Sequence, residues 1–183
     1  KRIDQALNQR VYRAACATYD QRSGRAPPAQ SLSVFLFDID NFKNYNDTNG
    51  HLAGDKLLQE LAGLVNDAVR KDDIFGRFGG EEFLLVMPHT NATQGMAVAE
   101  KIRSLLAHHP FPFAEKQPLG CISISGGVAE YPFHGLDAAG LLHASDEALY
   151  EAKRSGRNRV LLAKEVAAAP SVAPGAAREP QRP

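Results

Sequence analysis

The sequence predicts an α/β fold, a central mixed sheet flanked by helices. Short apolar runs suited to strands alternate with segments whose apolar residues recur at helical spacing. Two of the strand-like runs flank Gly79-Gly80, the pattern of a tight hairpin. Carboxylates gather where strands should end, at Asp38 and Asp40 and again at Glu81 and Glu82.

Each element has its own signal. Residues 1–19 carry Ile3, Leu7, Val11 and Ala14/Ala15 at helical spacing, and a Gly/Pro/Ser/Gln loop over 20–31 ends that helix. The first strand, near 32–38, is apolar until Asp38-Ile39-Asp40, where both acids should emerge at the edge of the core. Residues 41–48 form a short helix. Residues 54–70 form a longer one, with Leu57, Leu58, Leu61, Leu64, Val65, Ala68 and Val69 on its apolar face. Strands over 73–78 and 82–87 pair around Gly79-Gly80, and Pro88 stops the second. Asn91 or Thr93 caps a helix running to about 107. An irregular, Pro-rich loop from His108 to Pro118 leads to an alternating strand over 120–129, a helix from Asp137 to Ser155 and a last strand over 158–162. From Ala163 the chain is rich in Ala and Pro with few large apolar residues. It cannot bury enough surface to offset its ordering entropy, so 163–183 is expected to be a disordered tail.

Bulk properties narrow the function classes. A chain of 183 residues can hold one domain with a sizeable core. Its 21 basic and 21 acidic residues are interspersed, which argues against a nucleic-acid surface spread over the whole protein but leaves room for a local phosphate site. Cys16 and Cys121 stand far apart, with neither a disulfide framework nor zinc-ligand spacing, which fits a reducing cytoplasm. No apolar stretch is long enough to span a bilayer. The chain opens inside a helical pattern, so a sensory or receiver domain is expected upstream, and that region could carry a membrane anchor.

The run Gly76-Arg-Phe-Gly-Gly-Glu-Glu-Phe83 carries the most chemistry. Glycines let the backbone turn tightly and approach a ligand closely. Adjacent carboxylates repel each other, which a solvated turn tolerates; the arrangement also makes sense where a divalent cation and a phosphate come to the tip. The N–H groups around Asn41, Phe42 and Lys43 open the short helix and form a natural anion site. Lys153 and Arg157 are four apart, hence on one helical face if the helix continues through Gly156. By themselves they read as cations favoured at a helix C-terminus. Asn46 and Asp55 by themselves read as helix-end polar residues. Arg70-Lys-Asp-Asp73 by itself reads as a surface ion pair.

Taken together these motifs resemble the GGDEF family, the diguanylate cyclases, in its GGEEF variant. The resemblance covers roughly 32–162 and rests on four stretches in family order: Phe37-Asp-Ile-Asp-Asn-Phe-Lys-Asn-Tyr-Asn-Asp, Gly50-His-Leu-Ala-Gly-Asp-Lys, Gly79–Phe83, and Ala144-Ser-Asp-Glu-Ala-Leu-Tyr-Glu-Ala-Lys-Arg-Ser-Gly-Arg-Asn. It implies the palm-like fold shared with adenylyl cyclases and some polymerases. It implies a homodimeric enzyme that condenses two GTP into cyclic di-GMP and two pyrophosphates, with magnesium or manganese.

The resemblance also implies roles. Asp38, Glu81 and the Ile39 carbonyl would hold metal; Glu82 would be a further ligand or orient the nucleophile. Asn41, Phe42, Lys43, Lys153 and Arg157 would hold the triphosphate, with Lys43 also neutralising the acidic tip. Asn46 and Asp55 would read guanine, with His51 buttressing their turn. Arg70 and Asp73, assisted by Arg77, would form an RxxD site through which cyclic di-GMP inhibits turnover.

The match is incomplete in three places. The family's opening Asp-x-Leu-Thr-Gly-Leu-x-Asn-Arg-Arg segment is reduced here to Asp4-Gln5-Ala6-Leu7-Asn8-Gln9-Arg10, and residues 20–31 are longer than usual. Ser125-Gly126-Gly127-Val128 replaces Ser-Ile-Gly-Val and should remove an apolar side chain from a strand. The alternative is a non-catalytic module of the same family that binds GTP or cyclic di-GMP as a receptor. Another palm-type nucleotidyl transferase is disfavoured by the joint motif set.

Overall fold

Among the described residues five strands form one sheet, in the spatial order Ile74–Gly79, Glu82–Pro88, Leu32–Ile39, Ile124–Tyr131, Val160–Leu162. The computed structural model describes residues 31–165. The expected helix over 1–19, nearly all of the loop over 20–31 and most of the tail from 163 lie outside those residues, and the Asp4–Arg10 stretch with them. The strands are β1 (Leu32–Ile39), β2 (Ile74–Gly79), β3 (Glu82–Pro88), β4 (Ile124–Tyr131) and β5 (Val160–Leu162). β1 lies antiparallel between β3 and β4, β2 and β3 form the antiparallel hairpin, and β5 joins β4 in parallel. The helices are α1 (Phe42–Asn49), α2 (His51–Ala68), α3 (Ala92–His108) and α4 (Ala138–Arg154). The mixed sheet flanked by helices is the fold expected.

Alternation along the central strands sorts the core into two layers. Phe35, Phe37 and Ile39 of β1, with Phe83, Leu85 and Met87 of β3, face Leu57, Leu61 and Val65 of α2 and Ala99, Ile102 and Leu106 of α3. Val34 and Leu36, with Leu84 and Val86, belong to the opposite layer, shared with Leu141, Ala144, Ala148 and Leu149 of α4. Phe37 stacks on Phe83 with ring centroids 5.5 Å apart and on Phe35 at 4.9 Å. Phe75 adds to the same stack at 5.7 Å from Phe83, giving the hairpin a stiff apolar floor.

Several expectations are corrected. α2 starts at His51 rather than 54, with Gly50 (φ 85°) as its N-cap. That makes Gly54 an interior residue, where a Cβ would strike the Asn46 amide. α3 is capped by Asn91, whose side chain and that of Gln94 bond reciprocally to each other's backbone N–H, a full capping box. β4 begins at Ile124, four residues later than expected. The apolar side chain missing at Gly126 leaves no gap, because a Cβ there would run into the Phe35 ring. Phe35 already fills that space.

Candidate active site

The acidic ends of β1 and β3 meet because the strands are antiparallel. Asp38 stands opposite Glu82 in the β1–β3 register, and the Ile39 N–H donates to the Glu81 carbonyl at 3.4 Å. Glu81 occupies the turn between β2 and β3. The structure therefore brings Asp38, Ile39, Glu81 and Glu82 to one end of the sheet. α4 ends there too: Lys153 Nζ lies 3.0 Å from Asp38 Oδ2. The Asp38 carboxyl is pushed up to about 6: burial raises it most, Lys153 pulls it down, and Glu81 and Glu82 raise it further within that net value.

The hairpin glycines work differently from expectation. Neither Gly79 nor Gly80 takes a left-handed φ. A Cβ at Gly79 would meet Glu82 Oε2 at 2.8 Å, so this glycine makes room for the carboxylate, while Gly80 faces open space. A register shift between Arg77 and Gly79 bulges the strand, and Arg77 Nε donates to the Gly80 carbonyl at 2.7 Å. Arg77 thus braces the tip from within.

The phosphate candidates are arranged in two places. Asn41 is left-handed (φ 57°) and lets β1 turn directly into α1; its side chain makes no cap, so the first-turn N–H groups stay available. Phe42 is buried, so only its backbone can face a ligand, whereas Lys43 is exposed. Arg157 is not on one helical face with Lys153. α4 ends at Arg154, and Gly156, Arg157 and Asn158 all have positive φ (111°, 62° and 47°). The glycine ends the helix, and the chain reverses before entering β5.

Asp55 lines a cavity of about 570 Å³ between α2 and the hairpin, with Gln59, Phe75, Arg77 and Phe83 among its walls. Asp55 is exposed and sits within α2, not at its N-cap. Asn46 packs against Gly54, the residue before Asp55, and its Oδ1 is buried without a hydrogen-bond partner among the described residues. His51 opens α2 and its side chain is exposed, with no side-chain hydrogen bond among the described residues. Arg70 and Asp73 form a tight turn: the Arg70 N–H donates to Asp73 Oδ2 at 2.9 Å, and the Asp73 N–H to the Arg70 carbonyl at 3.1 Å. The two side chains form no ion pair with each other; the exposed guanidinium stays outside the turn's hydrogen bonds.

Sequence reasoning placed Asp40 at the edge of the core with Asp38 but missed its partners. Both acids are buried, and Asp40 accepts hydrogen bonds from Ser123 Oγ and Ser125 Oγ, each at 2.7 Å, and from the Asn158 N–H at 3.0 Å. The available signal was Ser123-Ile-Ser125, two hydroxyls at strand spacing in an otherwise apolar run.

Comparison with known proteins agrees with this geometry. The family profile described as "Diguanylate cyclase, GGDEF domain" matches residues 6–159. A curated relative, diguanylate cyclase A of Treponema denticola, is 43% identical over 135 residues, which are 74% of this chain but 36% of that protein. The chain therefore spans little more than a third of that relative. The solved active GGEEF domain of a diguanylate cyclase from Vibrio cholerae is 34% identical, with a TM-score of 0.71 over 88% of this chain and 97% of that one. The GGDEF domain of DgcB from Caulobacter crescentus, solved in complex with c-di-GMP, is 28% identical with a TM-score of 0.72, covering 87% of each chain.

Proposed function

The chain belongs to the GGDEF domain family, and on that premise we propose that it is a diguanylate cyclase condensing two GTP into cyclic di-GMP. The observation that carries this reading is the convergence of Asp38, Glu81 and Glu82 at one sheet end, with Lys153 against Asp38. In each of the two condensations a ribose 3′-hydroxyl gives up its proton to solvent, and its oxygen bonds to the α-phosphorus of the other nucleotide. The bridge from that phosphorus to the β-phosphate breaks, and pyrophosphate leaves. One site cannot easily present both the hydroxyl and the phosphorus, so two subunits each hold one GTP.

The donor set fits a divalent cation. No three His, Cys, Asp or Glu side chains among the described residues form a metal cluster alone. The set proposed here is two carboxylates, Asp38 and Glu81, with the Ile39 carbonyl, all hard oxygens suited to magnesium or manganese. The Asp38 carboxyl is raised first by burial, and Glu81 and Glu82 add to that rise against the pull of Lys153. Bound there, the ion would offset charge on the triphosphate and the leaving group. Glu82 orients the 3′-hydroxyl, and Lys43 neutralises charge at the tip. The α1 N–H groups around Asn41, Phe42 and Lys43, with Lys153 and Arg157, hold phosphate oxygens.

Guanine is read by Asn46 and Asp55. The unpartnered, buried Asn46 Oδ1 supports this, since a base N–H would satisfy it. Adenine would leave such groups unpaired, so Asp55→Ala should reduce the preference for GTP over ATP about tenfold in competition binding; unchanged selectivity contradicts the assignment. Arg70 and Asp73 bind product as a brake, with Arg77 assisting. The c-di-GMP in the solved DgcB domain supports this, as does the Arg70 guanidinium, which is not paired with Asp73. Calorimetry on nucleotide-free protein should show c-di-GMP binding that Arg70→Ala removes. In the longer protein, a sensory or receiver domain upstream would set when two subunits meet.

The function is tested by turnover of GTP with magnesium after enzymatic removal of bound c-di-GMP, with products resolved chromatographically at several protein concentrations. Product should rise faster than linearly with protein and vanish in Glu81→Ala. Folded protein that binds GTP yet forms no product, even when dimerised by a fused coiled coil, would make the chain a receptor instead.

A further inference from the structure

The turn between α4 and β5 is held in a conformation that it would not adopt alone. Arg157 and Asn158 follow one another in the left-handed region, at φ 62° and 47°, directly after Gly156. Two successive non-glycine residues rarely take that conformation without outside support. Three elements supply it. From the end of β1, Asp40 Oδ2 accepts the Asn158 N–H at 3.0 Å. From α3, Arg103 Nη1 donates to Asn158 Oδ1 at 2.8 Å. From α4 itself, the Ala152 carbonyl accepts the Arg157 N–H at 3.1 Å.

The supports are themselves fixed. Asp40 is tied to the start of β4 by Ser123 Oγ and Ser125 Oγ, while its own N–H donates to the Ser123 carbonyl at 2.9 Å. Arg103 is braced by Glu100 Oε2 at 2.8 Å. A buried carboxylate with three uncharged donors has no direct part in charge handling at Asp38. Its geometry instead fixes one backbone path. On that path lies Arg157, exposed, four residues beyond the lysine that touches Asp38.

We propose that Asp40, Asn158 and Arg103 are positioning residues for nucleotide binding, a three-way clamp that presents Arg157 to the triphosphate at the acidic end of the sheet. The inference rests on the reading of that end as a GTP site. The clamp acts on binding more than on chemistry, so its loss raises KM for GTP with kcat little changed. A clamp that served the fold alone would leave the two constants unsplit.

The test uses Asn158→Gly, which keeps the N–H donor and the left-handed backbone but removes the contact to Arg103. Arg103→Met removes the same contact from the other side and keeps an apolar stem. Binding of magnesium guanosine 5′-[α,β-methylene]triphosphate is measured by calorimetry, at a temperature where melting curves show each variant folded. Both variants should bind about three- to tenfold more weakly. Asn158→Asp, which keeps an oxygen for Arg103, should stay within about twofold of the parent. In an Arg157→Ala background the same substitutions should have no further effect. Parent-like affinity in both variants, or an undiminished loss in the Arg157→Ala background, overturns the clamp while leaving the GTP site standing. Failure of the unmodified protein to bind the analogue overturns the site and the clamp with it.

Discussion

Asp38 and Asp40 stand two residues apart at the end of β1, are 6% and 4% exposed, and live in opposite surroundings. Burial pushes the Asp38 carboxyl up to about 6, and its neighbours are charged: Lys153 attracts it, while Glu81 and Glu82 repel it. Around Asp40 the donors are two hydroxyls and a peptide N–H. The first niche leaves a carboxylate short of compensation, as a site awaiting a cation does. The second satisfies the carboxylate with fixed dipoles and uses it to join β1, β4 and the α4–β5 turn. A buried acid is thus not a functional signal by itself; the kind of partner it keeps separates a reactive acid from a structural one.

The comparison breaks most visibly if Asp40 can be removed without loss. Asp40→Ala leaves two buried hydroxyls and a part-buried N–H without their acceptor, which should cost about 2–4 kcal/mol. Thermal unfolding should then shift down by roughly 5–10 °C. A melting temperature equal to that of the parent would mean the Asp40 niche is no more structural than its neighbour.

Titration sharpens the same contrast more gently. The folded protein holds a proton on Asp38 up to about pH 6, whereas the ordinary carboxyl value is 3.8. The stability contributed by this raised group is therefore fully present below about pH 4 and is lost as pH rises through about 6. Cation binding runs the other way, because the ion competes with the proton. Affinity for magnesium and the GTP analogue together should fall about tenfold from about pH 7 to about pH 5. The fall should be shallower in Asp38→Asn, and equal pH dependence in the two proteins would exclude Asp38 as the group responsible.

Much of this was legible in the sequence. Strand order along the chain, the hairpin and the acids on its tip follow from apolar periodicity and from Gly79-Gly80. What was not legible follows from tertiary contacts. The α2 start at His51 is hidden because Gly50 carries no capping side chain, and the pair Gly50 and Gly54 invites the wrong choice. The end of α4 is hidden because Arg157 and Asn158 adopt left-handed backbone only under the hold of Asp40 and Arg103, far away in sequence. Gly126 reads as a lost core side chain because only the folded packing shows Phe35 in its place. Of the candidate site, the meeting of Asp38 with Glu82 came from the resemblance, and the antiparallel register now supplies its physical cause.

The most direct measurement is of Asp38→Asn, a change that removes the charge and keeps the shape, with magnesium-dependent GTP turnover and thermal unfolding recorded on the same samples. If Asp38 is a carboxylate held ready for a cation, turnover should fall at least about 100-fold. The melting temperature should rise by roughly 2–4 °C, since a repelled, desolvated charge is gone and Lys153, one-third exposed, can turn to water. Retained turnover, or a loss of stability like that of Asp40→Ala, would contradict the division between the two acids.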